Sequence, residues 1–311
     1  MDKLAIIDLG TNTFHLLIAI RNENEYEIRH RIRLAVRIGK GGINSGIITY
    51  EAQERAKHAL SQFKERIKIE KIKKIFAMGT SAIRNASNKG EFLKIIKDQF
   101  GWDVKILSGE EEAKYIYHGV ASALSLGEGK SLIMDIGGGS VEFIIGNREK
   151  IDWLKSFEIG AQRLIDKFNF HDPILPKEIE LLDIYLSEQL GELFTELSQY
   201  SPTTLVGSSG TFDTLSDIYC EKNDIAKTAD NPETPLTLEA FAEIHQELIS
   251  KNKKDRLKIP GMIPMRVDMI VVASCLINLI VKRYSFSRVR VSSFSLKEGV
   301  LAHLAQEFKD H

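Results

Sequence analysis

Runs of Leu, Ile, Val, Met and Phe of strand length alternate along this chain with segments whose apolar positions recur at helical spacing. That alternation predicts an α/β architecture. The short runs predict strands near 3–9, 14–20, 26–37, 73–78, 103–107, 131–136, 141–147, 150–157, 203–207 and 287–291. The helical periods predict helices near 49–68, 88–99, 109–124, 160–168, 176–199, 211–220, 236–250, 265–284 and 296–308. The nearest thing to a linker is LSLGEGK, 124–130, with two glycines between a helix and a strand, and a domain boundary is expected there.

One stretch of the pattern occurs twice. LAIIDLGTNTFHLLIAI, from Leu4, superposes on LIMDIGGGSVEFIIGN at an offset of 127 residues, with Asp8 over Asp135, Gly10 over Gly137 and Thr13 over Ser140. Each copy reads as strand, aspartate, glycine-bearing turn and return strand, a β-hairpin with a carboxylate at its tip. A lone hairpin of this kind is more often only a turn; two copies, one per domain, are expected to face each other across a cleft. Glycine lets backbone approach a ligand closely. The tips, Gly10, Thr11, Asn12 and Thr13 in one copy and Gly137, Gly138, Gly139 and Ser140 in the other, therefore suit phosphate oxygens, and Asp8 and Asp135 suit the Mg²⁺ that accompanies them. A third joint, LVGSSGTFDTL, puts Gly207, Ser208, Gly210 and Thr211 between a strand and a helix N-terminus, a ready anion site that by itself fits a phosphatase or a kinase.

Composition narrows the class. At 311 residues, 43% hydrophobic and 27% charged, the chain is long enough for two globular domains. The net charge of −1 leaves no overall field for a polyanion, so nucleic acid is not expected as a partner and any anion must meet a local basic patch. Cys220 and Cys275 make neither a disulfide framework nor a zinc cluster, which fits a reducing cytoplasm. No signal peptide is expected, and the longest uncharged stretch, 269–281, is too short to span a bilayer. Arg29, Arg31 and Arg33 alternate and share one face of a strand. They line a polyanion track or form a solvated sheet face, the latter being favoured for Arg29 and Arg31. His15 reads as a core or cleft histidine rather than a metal ligand.

The segments DLGTNTFHLLI (8–18), RIRLAVRIGKGG (31–42), GTSAIRNASN (79–88), ILSGEEEAKYIYHGV (106–120), DIGGGSVEFIIG (135–146), EIGAQRL (158–164), GSSGTFDTL (207–215), PMRVDMIVVA (264–273) and SLKEGVL (295–301) resemble, in order, the blocks of the Ppx/GppA phosphatases, a branch of the actin, hexokinase and Hsp70 superfamily. The resemblance implies two actin-like (ribonuclease H-like) domains, 1–124 and 125–295, with an interdomain cleft and a C-terminal helix, 296–311, packing back on the first. It implies Glu112 as the residue that aligns and deprotonates water, Asp135 and Glu142 as metal-associated carboxylates with Asp8 as the matching candidate, and Arg84 and Arg266 as phosphate contacts. The alternatives are an outward residue on a half-buried strand for Glu142 and a surface arginine after a strand for Arg84. Successive helical residues turn by about 100°, so Glu110, Glu111 and Glu112 cannot all face one site.

Three positions depart from the family pattern: Val141 and Ser208 stand where threonine is usual, and Lys297 where arginine is. The implied activity is Mg²⁺-dependent release of orthophosphate from the end of inorganic polyphosphate. Removal of the 5′ γ-phosphate of guanosine pentaphosphate, a superfamily kinase activity, and a weakly catalytic sensor of guanosine tetraphosphate or polyphosphate are the alternatives. A homodimer that lengthens the binding track is a further expectation.

Overall fold

The computed structural model describes residues 3–22, 25–228 and 231–307. The strands are β1 (Lys3–Leu9), β2 (Thr13–Asn22), β3 (Glu25–Ala35), β4 (Lys74–Gly79), β5 (Val104–Ile106), β6 (Ser131–Ile136), β7 (Val141–Gly146), β8 (Ile151–Phe157), β9 (Thr204–Ser208), β10 (Glu233–Thr234) and β11 (Arg288–Ser292). The helices are α1 (Tyr50–Ile69), α2 (Ser81–Arg84), α3 (Lys89–Phe100), α4 (Gly109–Ala123), α5 (Ala161–Phe168), α6 (Pro176–Gln189), α7 (Gly191–Tyr200), α8 (Ser209–Lys222), α9 (Leu238–Ser250), α10 (Lys253–Arg256), α11 (Met269–Arg283) and α12 (Leu296–Glu307).

Two mixed sheets carry the duplication. The first runs β3-β2-β1-β4-β5, and the second repeats that order as β8-β7-β6-β9-β11 with β10 added at the edge. In each, an antiparallel meander of three strands continues into parallel strands reached by helical crossovers. Strand alternation points successive side chains to opposite faces, and both central strands are apolar on both. Ala5, Ile7 and Leu9 of β1 join the core under α1 and α3, while Leu4 and Ile6 turn to a different one. That second core also takes Ile133 and Ile144 from the other sheet, Ile116 and Val120 from α4, and Val300 and Leu301 from α12. The two helices are thus the shared filling between the sheets. They cross so closely that a Cβ on Gly299 would lie 1.7 Å from the Tyr115 carbonyl oxygen, and one on Gly119 would lie 2.1 Å from that of Ser295.

The differences from the predicted elements are local. The helix expected over 176–199 breaks into α6 and α7 at Leu190, and α11 starts at Met269 rather than 265 because a turn, Arg266 N–H to Ile263 C=O at 2.8 Å, precedes it. β3 stops at Ala35 because Val36 and Arg37 turn to donate to the Asn12 carbonyl, at 3.0 and 2.8 Å, with Arg37 at φ +52°. The short elements α2, α10 and β10 lack periodicity to announce them. Residues 308–311, part of the expected C-terminal helix, lie outside the described residues.

Candidate active site

The two hairpin tips meet. A Cβ on Gly138 would sit 2.3 Å from Asn12 Nδ2 and 3.0 Å from Thr11 Cγ2, and one on Gly139 would sit 2.7 Å from Thr11 Oγ1 and 2.5 Å from Ser81 Oγ. Only residues without side chains permit that approach. The carbonyls of the second tip turn away from the cleft: Gly137 and Gly138 accept from the Ala161 and Gln162 amides, at 3.0 and 2.9 Å, and Gly139 accepts from Gly160 at 3.1 Å. Gly137 N–H closes the turn on the Ser140 carbonyl at 3.0 Å, so the amides that such a tip can offer an anion are those of Gly138, Gly139 and Ser140, all in the cavity wall.

Register places the carboxylates. Asp8 of β1 faces His15 of β2, which faces Arg33 of β3. At the same offset of 127, Asp135 of β6 faces Glu142 of β7, which faces Ser156 of β8. Glu142 is therefore the repeat's counterpart of His15. Asp8 and Asp135 share a cavity of about 120 Å³ with both tips, Thr80, Glu112, Gly210, Arg266 and Lys297. About 30 Å³ per water makes this room for a phosphoryl group and its solvent.

Glu112 lies in the first turn of α4, whose capping box, Ser108 with Glu111, fixes the helix start and occupies the neighbouring glutamate. Its buried carboxylate accepts from Arg84 Nη1 at 2.8 Å. Burial pushes Glu112 up to about 7 against the pull of Arg84, with Asp8 and Asp135 adding repulsion. Burial likewise lifts Asp8 to about 7 despite Lys297. Glu142, buried and accepting from Ser156 Oγ at 2.7 Å, is held well above the carboxylate range by burial and then by Glu112 and Asp135. His15 is driven well below its usual value by burial and by Lys297, Arg266 and Arg33, so its imidazole is neutral.

Asp135 is fixed by three hydroxyls on one oxygen: Ser208 and Ser209 donate to Oδ2 at 2.6 Å, and Ser295 donates from 160 residues away. Ser209 does so from a left-handed backbone, φ +68°, a conformation that costs about 1 kcal/mol or more outside glycine. All three hydroxyls fall on Oδ2 of Asp135, and Asp8 Oδ1 is buried without a partner. Among the described residues, no three His, Cys, Asp or Glu side chains converge to hold a metal alone. Two carboxylates lining one cavity, Asp8 with an unpartnered oxygen, nevertheless fit Mg²⁺, which takes one or two carboxylates and completes its shell with other oxygens such as water.

Of the sequence-predicted residues, Asp8, Gly10, Thr11, Asn12, Thr13, Glu112, Asp135, Gly137, Gly138, Gly139, Ser140, Gly210 and Arg266 line the cavity. Arg84, Glu142, Gly207, Ser208 and Thr211 lie behind its wall. Gly207 makes room for the Phe212 ring, and Ser208 orients Asp135. Arg84 spends its guanidinium on Glu112, on the Leu107 carbonyl and, at 3.1 Å, on Glu158. Glu158 also accepts from Ser81 Oγ at 2.6 Å and Arg163 Nη2 at 2.7 Å, and Arg163 reaches on to the Ile43 carbonyl at 3.2 Å. This bridge ties the two lobes across the cleft. Sequence reasoning missed Thr80, Asp213, Ser293 and Ser295 as wall residues, and took Lys297 only as a departure from a pattern. The SLKEGVL block was the available signal for the last two.

The Ppx/GppA phosphatase family model matches residues 17–308. The fold is similar to the crystal structure of an exopolyphosphatase from Cytophaga hutchinsonii, at 40% identity and TM-score 0.96 over 98% of each chain. It is also similar to the Aquifex aeolicus member of the Ppx/GppA family, at 24% identity and TM-score 0.80 over 100% of this chain and 99% of that one. A Vibrio cholerae guanosine-5′-triphosphate,3′-diphosphate pyrophosphatase is 28% identical over 98% of this chain and 60% of its own length, so the present chain spans less than two thirds of that relative. With the duplicated sheets, the facing tips and a match over nearly its whole length, the chain belongs to the Ppx/GppA phosphatase family.

Proposed function

We propose that this protein is an exopolyphosphatase that hydrolyses the terminal phosphoanhydride of inorganic polyphosphate and releases orthophosphate. The observation that carries the reading is the placement of a buried carboxylate, Glu112, in the wall of a small cavity clasped by two amide-rich tips. In this reading the terminal phosphoryl group sits between the tips, with Arg266 beside it. Glu112 aligns a water and takes its proton as the water oxygen bonds to phosphorus. The bridging bond breaks, and the shortened chain keeps the bridging oxygen. A loose transition state needs alignment more than early proton transfer. A carboxylate poised near neutrality serves both. Mg²⁺ held by Asp8 and Asp135 would neutralise charge on the phosphoryl oxygens. Glu142, behind the wall, supports the site through electrostatics rather than as a direct ligand.

The lobes in this proposal are 1–124 with the C-terminal helix, and 125–295, closing on substrate to exclude water. A cytoplasmic setting belongs to the same proposal; among the described residues no helix is long and apolar enough to cross a membrane. Guanosine pentaphosphate is the second reading, favoured by the likeness to the Vibrio cholerae enzyme. Parallel assays of orthophosphate release from long-chain polyphosphate, guanosine pentaphosphate and ATP test both. Polyphosphate is expected to be the best substrate; preference for pentaphosphate would replace the first reading with the second, and no release from any would overturn both.

A further inference from the structure

Of the residues lining the cavity, Arg33 alone is exposed; the others are buried or half-buried. Arg33 projects from β3 in the row Asp8, His15, Arg33, so its guanidinium stands at the end of the row that begins with a site carboxylate. Among the described residues it pairs with no acid. Arg31 is the next residue on that face, about 7 Å further along the strand. Its guanidinium lies 5.2 Å over the Phe294 ring and its Nε donates to Glu298 at 3.3 Å. Phe294 stands between Ser293 and Ser295, both wall residues, and Glu298 follows Lys297, another. Arg31 is therefore braced against the outside of the wall that closes the cavity. Its Nε is tied down, and the side chain remains about half exposed, at 46%. Arg29 does not extend this row, because the β2–β3 register shifts between Ile18 and Ala19 and Arg29 pairs with Glu27.

We propose that a bound phosphate chain leaves the cavity past Arg33 and continues along the outer face of β3, where Arg33 and then Arg31 hold the phosphoryl groups behind the scissile bond. The inference rests on the exopolyphosphatase reading and specifies its substrate as an extended, unbranched polyanion longer than the cavity. Neutral His15 contributes no charge to this path. Planar guanidinium forks suit successive phosphoryl oxygens better than point charges do. Solvent exposure makes the outer contact salt-sensitive.

The test is the KM for tripolyphosphate and for long-chain polyphosphate in wild type, Arg33→Ala, Arg31→Ala and Arg31→Lys. Arg33→Ala is expected to raise both KM values. Arg31→Ala is expected to raise the ratio of the long-chain KM to the tripolyphosphate KM about tenfold, the size of one lost charge-assisted contact. Arg31→Lys, which keeps the charge, restores most of that ratio, as a merely structural brace would not. An unchanged ratio in Arg31→Ala, or equal weakening of both substrates, overturns the track while leaving the reaction intact. A wild type that releases orthophosphate from neither substrate overturns the reaction and the track together.

Discussion

Arg84 gives one arm of its guanidinium to Glu112, at 2.8 Å, and the other to Glu158, at 3.1 Å, so one cation joins the carboxylate in the cavity wall to a carboxylate of the opposite lobe. Burial raises Glu112 to about 7, and Arg84 is the largest influence opposing that rise. Arg84→Ala should therefore lift Glu112 further. The proposed base must be ionised to act, so the acid limb of the kcat profile moves to higher pH. The rate at pH 7 falls and recovers in alkaline buffer. A pH–kcat profile checks this; a limb that stays in place would separate Arg84 from the base.

Stability should depend on pH in an unusual direction. Asp8, Glu112 and Asp213 are each raised to about 7 by burial, and Glu142 is raised well above its ordinary value. Between the ordinary carboxylate values, 3.8 and 4.5, and about 7 the folded state then holds protons that the unfolded state has released, so stability is full below that window and is lost as pH rises through it. Chelated protein is expected to show a falling Tm across that window. Added Mg²⁺ should raise Tm most at the upper end, where it replaces the missing protons. A Tm that climbs through the window in chelator would contradict the assignment.

Gly138 stands against Asn12 with no room for a methyl group, 2.3 Å from Asn12 Nδ2. Its φ is not in the left-handed region, so alanine there acts by wedging the tips rather than by straining the backbone. Gly138→Ala should cut phosphate release about a hundredfold through misplacement of the substrate, with a Tm close to that of wild type. Retained activity would mean that the tips need not meet.

Glu158 accepts from Ser81 and Arg84 across the cleft and from Arg163 of its own lobe. Glu158→Gln should lower kcat several-fold, and the loss should vanish in an Arg84→Lys background if it acts through Arg84, since linked residues are not additive. Multiplicative losses in a double-mutant cycle would show independent roles.

Much of this was legible in the sequence, and the reasons are local. The repeated strand–Asp–Gly–strand segments fix Asp8, Asp135 and both tips because a hairpin's register is set by its own turn. Glu112 was legible as one of three glutamates opening a helix, and the capping box at Ser108 shows why Glu111 is spent elsewhere. Arg84 was legible as basic but not in its orientation, because its partners Glu112 and Glu158 lie 28 and 74 residues away. Ser295 and Lys297 reach the cavity only because α12 returns from the far end of the chain to pack on α4, a tertiary contact that strand and helix periods do not encode. The same return brings Phe294 and Glu298 to Arg31, which turns one residue of the alternating arginines from a solvated face into a braced one.

Orthophosphate release from long-chain polyphosphate by wild type and by Glu112→Gln, in Mg²⁺ at pH 8, is the most direct test. Glutamine keeps the shape and an oxygen for Arg84 but cannot accept the proton. The account predicts a loss of about a thousandfold in kcat with KM and Tm little changed. A Glu112→Gln protein that matches wild type would contradict it.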